Sequence, residues 1–242
     1  SPPALRVLVL TDSISASRDG EFYSTVTRVA EWITSCKNLR RLELRRFVDD
    51  PVLLSQALTD EGPHLTTLSL TGYTMATSRA FHEALASQQT LQNLYLRGEG
   101  SDDIEDNAAL VQSISQLHDL RELELKDISE GFFPDHVMMM TPFLPNLERL
   151  WVSGDYFDDG IWNAFLCLPK LQSLAIHALS EFTFQGILSF ITQLVPSNKG
   201  LALSILNATI DGNLTDDEQS VIRDTLRHNV EGTFDFSLAQ GG

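Results

Sequence analysis

Six histidines, two cysteines and several acidic runs are the side chains of this 242-residue sequence that could carry metal or nucleophilic chemistry. The histidines are His64, His82, His118, His136, His177 and His228. No two of them stand at His-x-x-x-His spacing beside a glutamate, and no cysteine joins them, so a zinc site is not expected. His177 has no nucleophile beside it in sequence. Asp49-Asp50, Asp102 to Asp106 and Asp155 to Asp159 are acid-rich. None alternates acids ahead of a glycine as a calcium loop does, so they read as solvated loops. Gly98-Glu99-Gly100 lacks the third glycine of a dinucleotide loop and opens onto acids that repel phosphate. Asn207-Ala208-Thr209 and Asn213-Leu214-Thr215 are formal glycosylation sequons, meaningful only if the chain is secreted. The residue types thus predict no catalytic site, no metal and no cofactor.

The elements that must position these residues come from a repeat. Leu-x-x-Leu-x-Leu starts at Leu5, Leu39, Leu65, Leu91 and Leu120, with Val152 and Ile176 closing the copies that start at Leu147 and Leu171. Degenerate copies start at Gly200 and Glu231, the latter carrying Phe234 and Phe236. The starts are 24 residues (Leu147 to Leu171) to 34 residues (Leu5 to Leu39) apart. Motif positions 4 and 6 alternate with 3, 5 and 7, which is the period of a strand. Amphipathic stretches fill the intervals, at 24–34, 75–87, 106–117, 182–194 and 215–227. The last opens on Thr215-Asp216-Asp217-Glu218, a capping-box pattern. One strand and one helix cannot bury their apolar faces alone, whereas stacked pairs share a continuous core. The expected architecture is an α/β solenoid: a right-handed superhelix, a parallel inner sheet of eight or nine strands, and outer helices.

The chain resembles the leucine-rich-repeat family on these motifs, with a period most similar to the ribonuclease-inhibitor and F-box types. The family pattern continues with Asn or Cys three residues beyond the last motif leucine. Here Ser13, Phe47, Tyr73, Glu99, Ile128, Asp155 and Leu179 stand there. That departure predicts irregular loops after the strands. The first strand begins without a capping element, so residues 1–242 read as one repeat domain from the C-terminal part of a longer chain. Cys36 and Cys167 precede the second and seventh strands, roughly 24 Å apart at strand spacing. They are expected as free thiols, in keeping with an intracellular location.

Charge follows the repeat. The chain holds 17 basic and 33 acidic residues for a net charge of -16, which opposes nucleic-acid and anionic-membrane binding. No run of 18 apolar residues is present. The seven clean motif windows nevertheless hold eight basic and four acidic residues. Positions 3, 5 and 7 of adjacent strands should share one surface. They place Glu124 between Tyr95 and Trp151, about 10 Å apart, and Arg97 beside Lys126. Arg41, Arg45, Arg149 and His177 lie on the same face. Exposed Trp, Tyr and Arg are common anchors of protein interfaces. Phe132 to Met140 is the most apolar stretch outside the motifs and reads as core under an outer helix, with a partner patch as the alternative.

The expected function is non-catalytic recognition of a protein or peptide, acidic or phosphorylated to suit the basic rim. The resemblance implies the substrate-recognition region of an F-box ubiquitin ligase, with a cullin-ligase adaptor bound through a missing N-terminal region. The alternatives are a regulator of a small GTPase, through the acidic edge loops, and a secreted receptor module.

Overall fold

The computed structural model describes residues 4–11, 20–46, 52–73, 79–98, 105–129, 131–208 and 213–238. Nine strands form one parallel sheet in sequence order: β1 (Val7–Thr11), β2 (Arg41–Arg45), β3 (Thr67–Tyr73), β4 (Asn93–Gly98), β5 (Glu122–Lys126), β6 (Arg149–Phe157), β7 (Ser173–Ser180), β8 (Ala202–Asn207) and β9 (Thr233–Leu238). Eight helices among the described residues cover the other side: α1 (Gly20–Ser35), α2 (Val52–Ala57), α3 (Arg79–Leu85), α4 (Glu105–Ile114), α5 (Pro134–Met140), α6 (Trp162–Leu166), α7 (Phe184–Thr192) and α8 (Asp216–Val230). This is an open α/β solenoid of the expected kind. No described helix is long and apolar enough to cross a membrane.

The motif leucines build the core. Leu42, Leu68, Leu94, Leu123, Leu150, Leu174 and Leu203 stand in register, and all are buried. A backbone device recurs at the entries of β2 to β7. The position-2 carbonyl of one repeat accepts from two successive N–H groups of the next, as Thr66 O does from Gln92 and Asn93. The same pair of bonds joins Arg40 O to Thr66 and Thr67, and Arg121 O to Glu148 and Arg149. It ties register to the motif at each step and satisfies donors that the helix-to-strand turn would otherwise leave bare. In the degenerate eighth copy Gly200 (φ +83°) holds the first position, and Leu201 supplies the buried side chain.

Before most strands a residue three positions ahead of the first leucine is buried and accepts its N–H through the backbone. Cys36, Leu117, Leu144 and Leu168 fill that slot with apolar groups. Gln88 and Asn198 occupy it too, and each bonds to the repeat before it. Gln88 Oε1 accepts from Leu65 N at 3.0 Å, and Asn198 Nδ2 donates to Leu168 O and Leu171 O at 3.2 and 3.0 Å. Buried amides therefore stitch neighbouring repeats, although no Asn stands three residues beyond the last motif leucine. Cys36 is buried and Cys167 exposed, both as free thiols.

The Thr215 capping box is present: Glu218 N donates to Thr215 Oγ1, and Thr215 N to Glu218 Oε2. The Phe132 to Met140 stretch is core in part. Phe132, Val137 and Met140 are buried, while Met138 and Met139 face solvent along with Phe143.

Candidate functional site

Positions 3, 5 and 7 lie on the uncovered face of the sheet, and their neighbours follow the motif register. Tyr95 pairs with Glu124 and Glu124 with Trp151, while Arg97 pairs with Lys126. The side chains, however, do not simply follow their strand partners. Tyr95 Oη donates to Glu122 Oε2 at 2.5 Å, one step back along β5. Glu124 is drawn away by Arg97, whose Nε donates to Glu124 Oε1 at 2.5 Å. Arg149 reaches the other oxygen of Glu122 at 3.6 Å. Burial, then the bond to Glu122, pushes the Tyr95 phenol up to about 12. The Glu124 carboxylate bound to Arg97 raises the guanidinium's own value.

On β2, Arg41 and Arg45 clasp Glu43 between them, with Nε and NH2 donating at 2.6 and 2.9 Å. The Arg41 bond leads in holding the Glu43 carboxyl below the usual range, although burial pulls the other way. Glu43 was placed on the exposed face by its motif position, yet it is only 5% exposed. Two flanking arginines lie over it.

The centre of the face is aromatic. Lys126 Nζ stands 5.4 Å from the centroid of Trp151, within cation–π range. The His177 ring meets Trp151 edge-on at 6.1 Å. Trp151 and His177 are both half-buried. The structure thus joins Tyr95, Glu122 and Arg149 into one group and Lys126, Trp151 and His177 into another, with the Arg97–Glu124 pair alongside. Arg41 and Arg45 form a separate group on β2. On β1 to β7 the outward positions hold five cations and three carboxylates. Half of the basic surplus in the motif windows instead sits at position 2, on the strand-entry edge. There Arg40 donates to backbone carbonyls and Arg121 approaches Glu148.

Sequence reasoning missed a pocket beside His177. It measures about 210 Å³ and is lined by Asp127, Ser129, Ser153, Gly154, Asp155, His177, Ala178, Leu179 and Ala208. It exists because β6 is bulged: its register with β7 shifts between Gly154 and Phe157. At Gly154 a Cβ would stand 2.4 Å from Phe132 O and 2.6 Å from the Phe157 ring. Tyr156 takes φ +57° within this bulge and is 72% exposed, an unusual conformation for an aromatic residue. The only sequence signal was the Ser-Gly-Asp at 153–155, which follows the motif like any other loop start.

The acidic runs are less alike than their composition suggests. Asp49, Asp50, Asp102 and Asp103 lie outside the described residues, as do Glu99 and Gly100. Asp159, expected in a solvated loop, is a structural residue. Its carboxylate accepts from Trp162 Nε1, Thr183 N and Thr183 Oγ1. Asp158 caps the following turn through Gly160 N. Among the described residues no group of three or more His, Cys, Asp or Glu could hold a metal ion. Of the two sequons, Asn207 is buried and accepts from Ser180 N, whereas Asn213 is exposed.

No protein-family model matches the chain, and no curated protein matches it either. Among solved structures it is similar to a structural-genomics protein from Bacteroides fragilis. The TM-score is 0.53 at 14% identity, over 97% of this chain and 66% of that one. The likeness shows the fold alone. The parallel sheet and its helices fit a leucine-rich-repeat-like solenoid, and the chain spans about two thirds of the length of this neighbour.

Proposed function

We propose that the protein is a non-enzymatic recognition module that holds a peptide or protein segment across β4 to β7. The observation that carries this reading is Trp151. It lies on the outward face of the sheet, with Lys126 above its ring and His177 at its edge. A tryptophan kept half-exposed there, among oriented cations, has the composition of an interface anchor. Near it Arg97 is paired with Glu124 and Arg149 with Glu122, which leaves these side chains less entropy to lose on binding.

The partner is an extended segment that stacks an apolar group on Trp151 and sets acidic or phosphorylated groups against Arg97, Lys126 and Arg149. These arginines keep donors beyond the ones used by Glu122 and Glu124, because a guanidinium carries five. The narrower role of substrate receptor in an F-box ubiquitin ligase draws its support from the family resemblance.

The test is a selection from a phage-displayed random peptide library, followed by calorimetry with the enriched peptides. Binding that weakens at least about tenfold in Trp151→Ala, with an unchanged thermal midpoint, supports the reading. Enriched peptides that bind Trp151→Ala and Lys126→Ala as tightly as the parent protein contradict it.

A further inference from the structure

The pocket at the ends of β5 to β8 is a built feature outside the aromatic strip, and its lining is specific. Two carboxylates, Asp127 and Asp155, face it. Asp155 has no ion-pair partner among the described residues. Asp127 feels the attraction of Arg97 but forms no ion pair with it. Ser153 is only 8% exposed, and its Oγ accepts from Asp127 N at 2.7 Å. That oxygen keeps a second lone pair, and its proton has no acceptor among the described residues. Ala178, Leu179 and Ala208 also line it, and Leu179 is 37% exposed.

A lining that combines two carboxylate residues with apolar ones suits a cation on an aliphatic stem. Lysine and arginine side chains have that form: methylenes lie along apolar surface while the charged head meets carboxylates. The donor set opposes a metal ion, because no three ligating side chains converge among the described residues. It equally opposes an anion, which would meet two carboxylates. The cavity, at about 210 Å³, has room for one such side chain. The bulge of β6 is what carries Asp155 to its rim.

We infer that this pocket is a subsite for a lysine or arginine side chain of the bound segment. The inference rests on the recognition reading and extends it. His177 contacts both Trp151 and the pocket, so the bound segment runs from the aromatic strip directly into the acidic hole. The partner is therefore dipolar: an acidic group over the Arg97–Lys126–Arg149 side, and a basic side chain for the pocket.

Amide chemical shifts under titration test this without a known partner. The probes are Nα-acetyl-lysinamide and Nα-acetyl-argininamide, with Nα-acetyl-norleucinamide and Nα-acetyl-glutamic amide as controls. The expected result is saturable shifts at Ser129, Ser153 to Asp155 and Ala178 to Leu179 with a cationic probe. They should weaken at least about fivefold in Asp155→Asn and persist in Trp151→Ala. Which of the two cations binds tighter names the side chain. Thermal unfolding of Asp155→Asn and of a second variant, Asp127→Asn, checks that each is folded. Absence of saturable shifts with both cations overturns the inference, as do equal shifts from the norleucine or glutamic probe. Pocket shifts that survive in Trp151→Ala separate the fate of this subsite from that of the aromatic strip.

Discussion

Lys126 Nζ sits 5.4 Å above the ring of Trp151, on a sheet face that no described element covers. The pair is flanked on β4 by Tyr95, which bonds Glu122, and on β7 by His177, which also lines the pocket. Binding and stability should separate at these positions.

The first expectation contrasts two tryptophans. Trp162 is 3% exposed and packs on Phe182, Phe190 and Phe165, with Nε1 bonded to Asp159. Trp162→Ala should cost about 3–5 kcal/mol in chemical denaturation, the range for large-to-small changes at buried aromatics. Trp151→Ala removes a half-exposed ring and should cost less than about 1.5 kcal/mol. Equal losses would place Trp151 in the core.

A second concerns Glu43 and acid. Its carboxyl is held below the ordinary value of 4.5 by Arg41 and then Arg45. A depressed folded-state value gives stability that is present above the unfolded value and lost as pH falls through the lowered one. Denaturant midpoints of the parent and Glu43→Gln should therefore converge below about pH 4. Curves that stay parallel throughout would show that Glu43 titrates alike in both states.

Tyr95 gives a spectroscopic check. With its phenol pushed up to about 12 by burial and then by Glu122, it should ionise well above the ordinary value of 10, as a high-pH step in an ultraviolet absorbance titration. Tyr95→Phe should remove that step. A step that persists in Tyr95→Phe belongs to another residue and contradicts the Tyr95–Glu122 bond.

His136 links pH to α5. Its Nδ1 accepts from Phe133 N at 3.0 Å, and its ring stacks on Phe132 at 5.2 Å. Burial holds its value below 6.5, with the neighbouring Asp135 carboxylate opposing. The folded state then binds fewer protons than the unfolded chain beneath that pH, so stability declines as pH falls from about 6.5 toward the lowered value. A His136 NMR titration at or above 6.5 would contradict the geometry.

Much of the fold was legible because a strand repeat writes its own register. Leu68 and Leu94, or Arg97 and Lys126, become neighbours once the motifs are aligned. The placement of Trp151 near Tyr95 follows from the same alignment. What did not show were bonds between residues far apart in sequence with no periodic mark. Asp159 reaches Thr183 across 24 positions, and Tyr95 chooses Glu122 over the adjacent Glu124 because Arg97 has already taken Glu124. The pocket stayed hidden for a related reason. It depends on a bulge in β6 that packing of Gly154 against Phe132 and Phe157 sets, and a motif that ends at Val152 says nothing about that.

Hydroxyl-radical footprinting with a library-selected peptide tests the recognition face most directly. The account predicts that Trp151, Tyr95 and His177 lose reactivity when the peptide binds, while Trp32, Met139 and Phe143 on the helical side keep theirs. Protection of Met139 and Phe143 with Trp151 unchanged would put the binding surface on the opposite side of the solenoid.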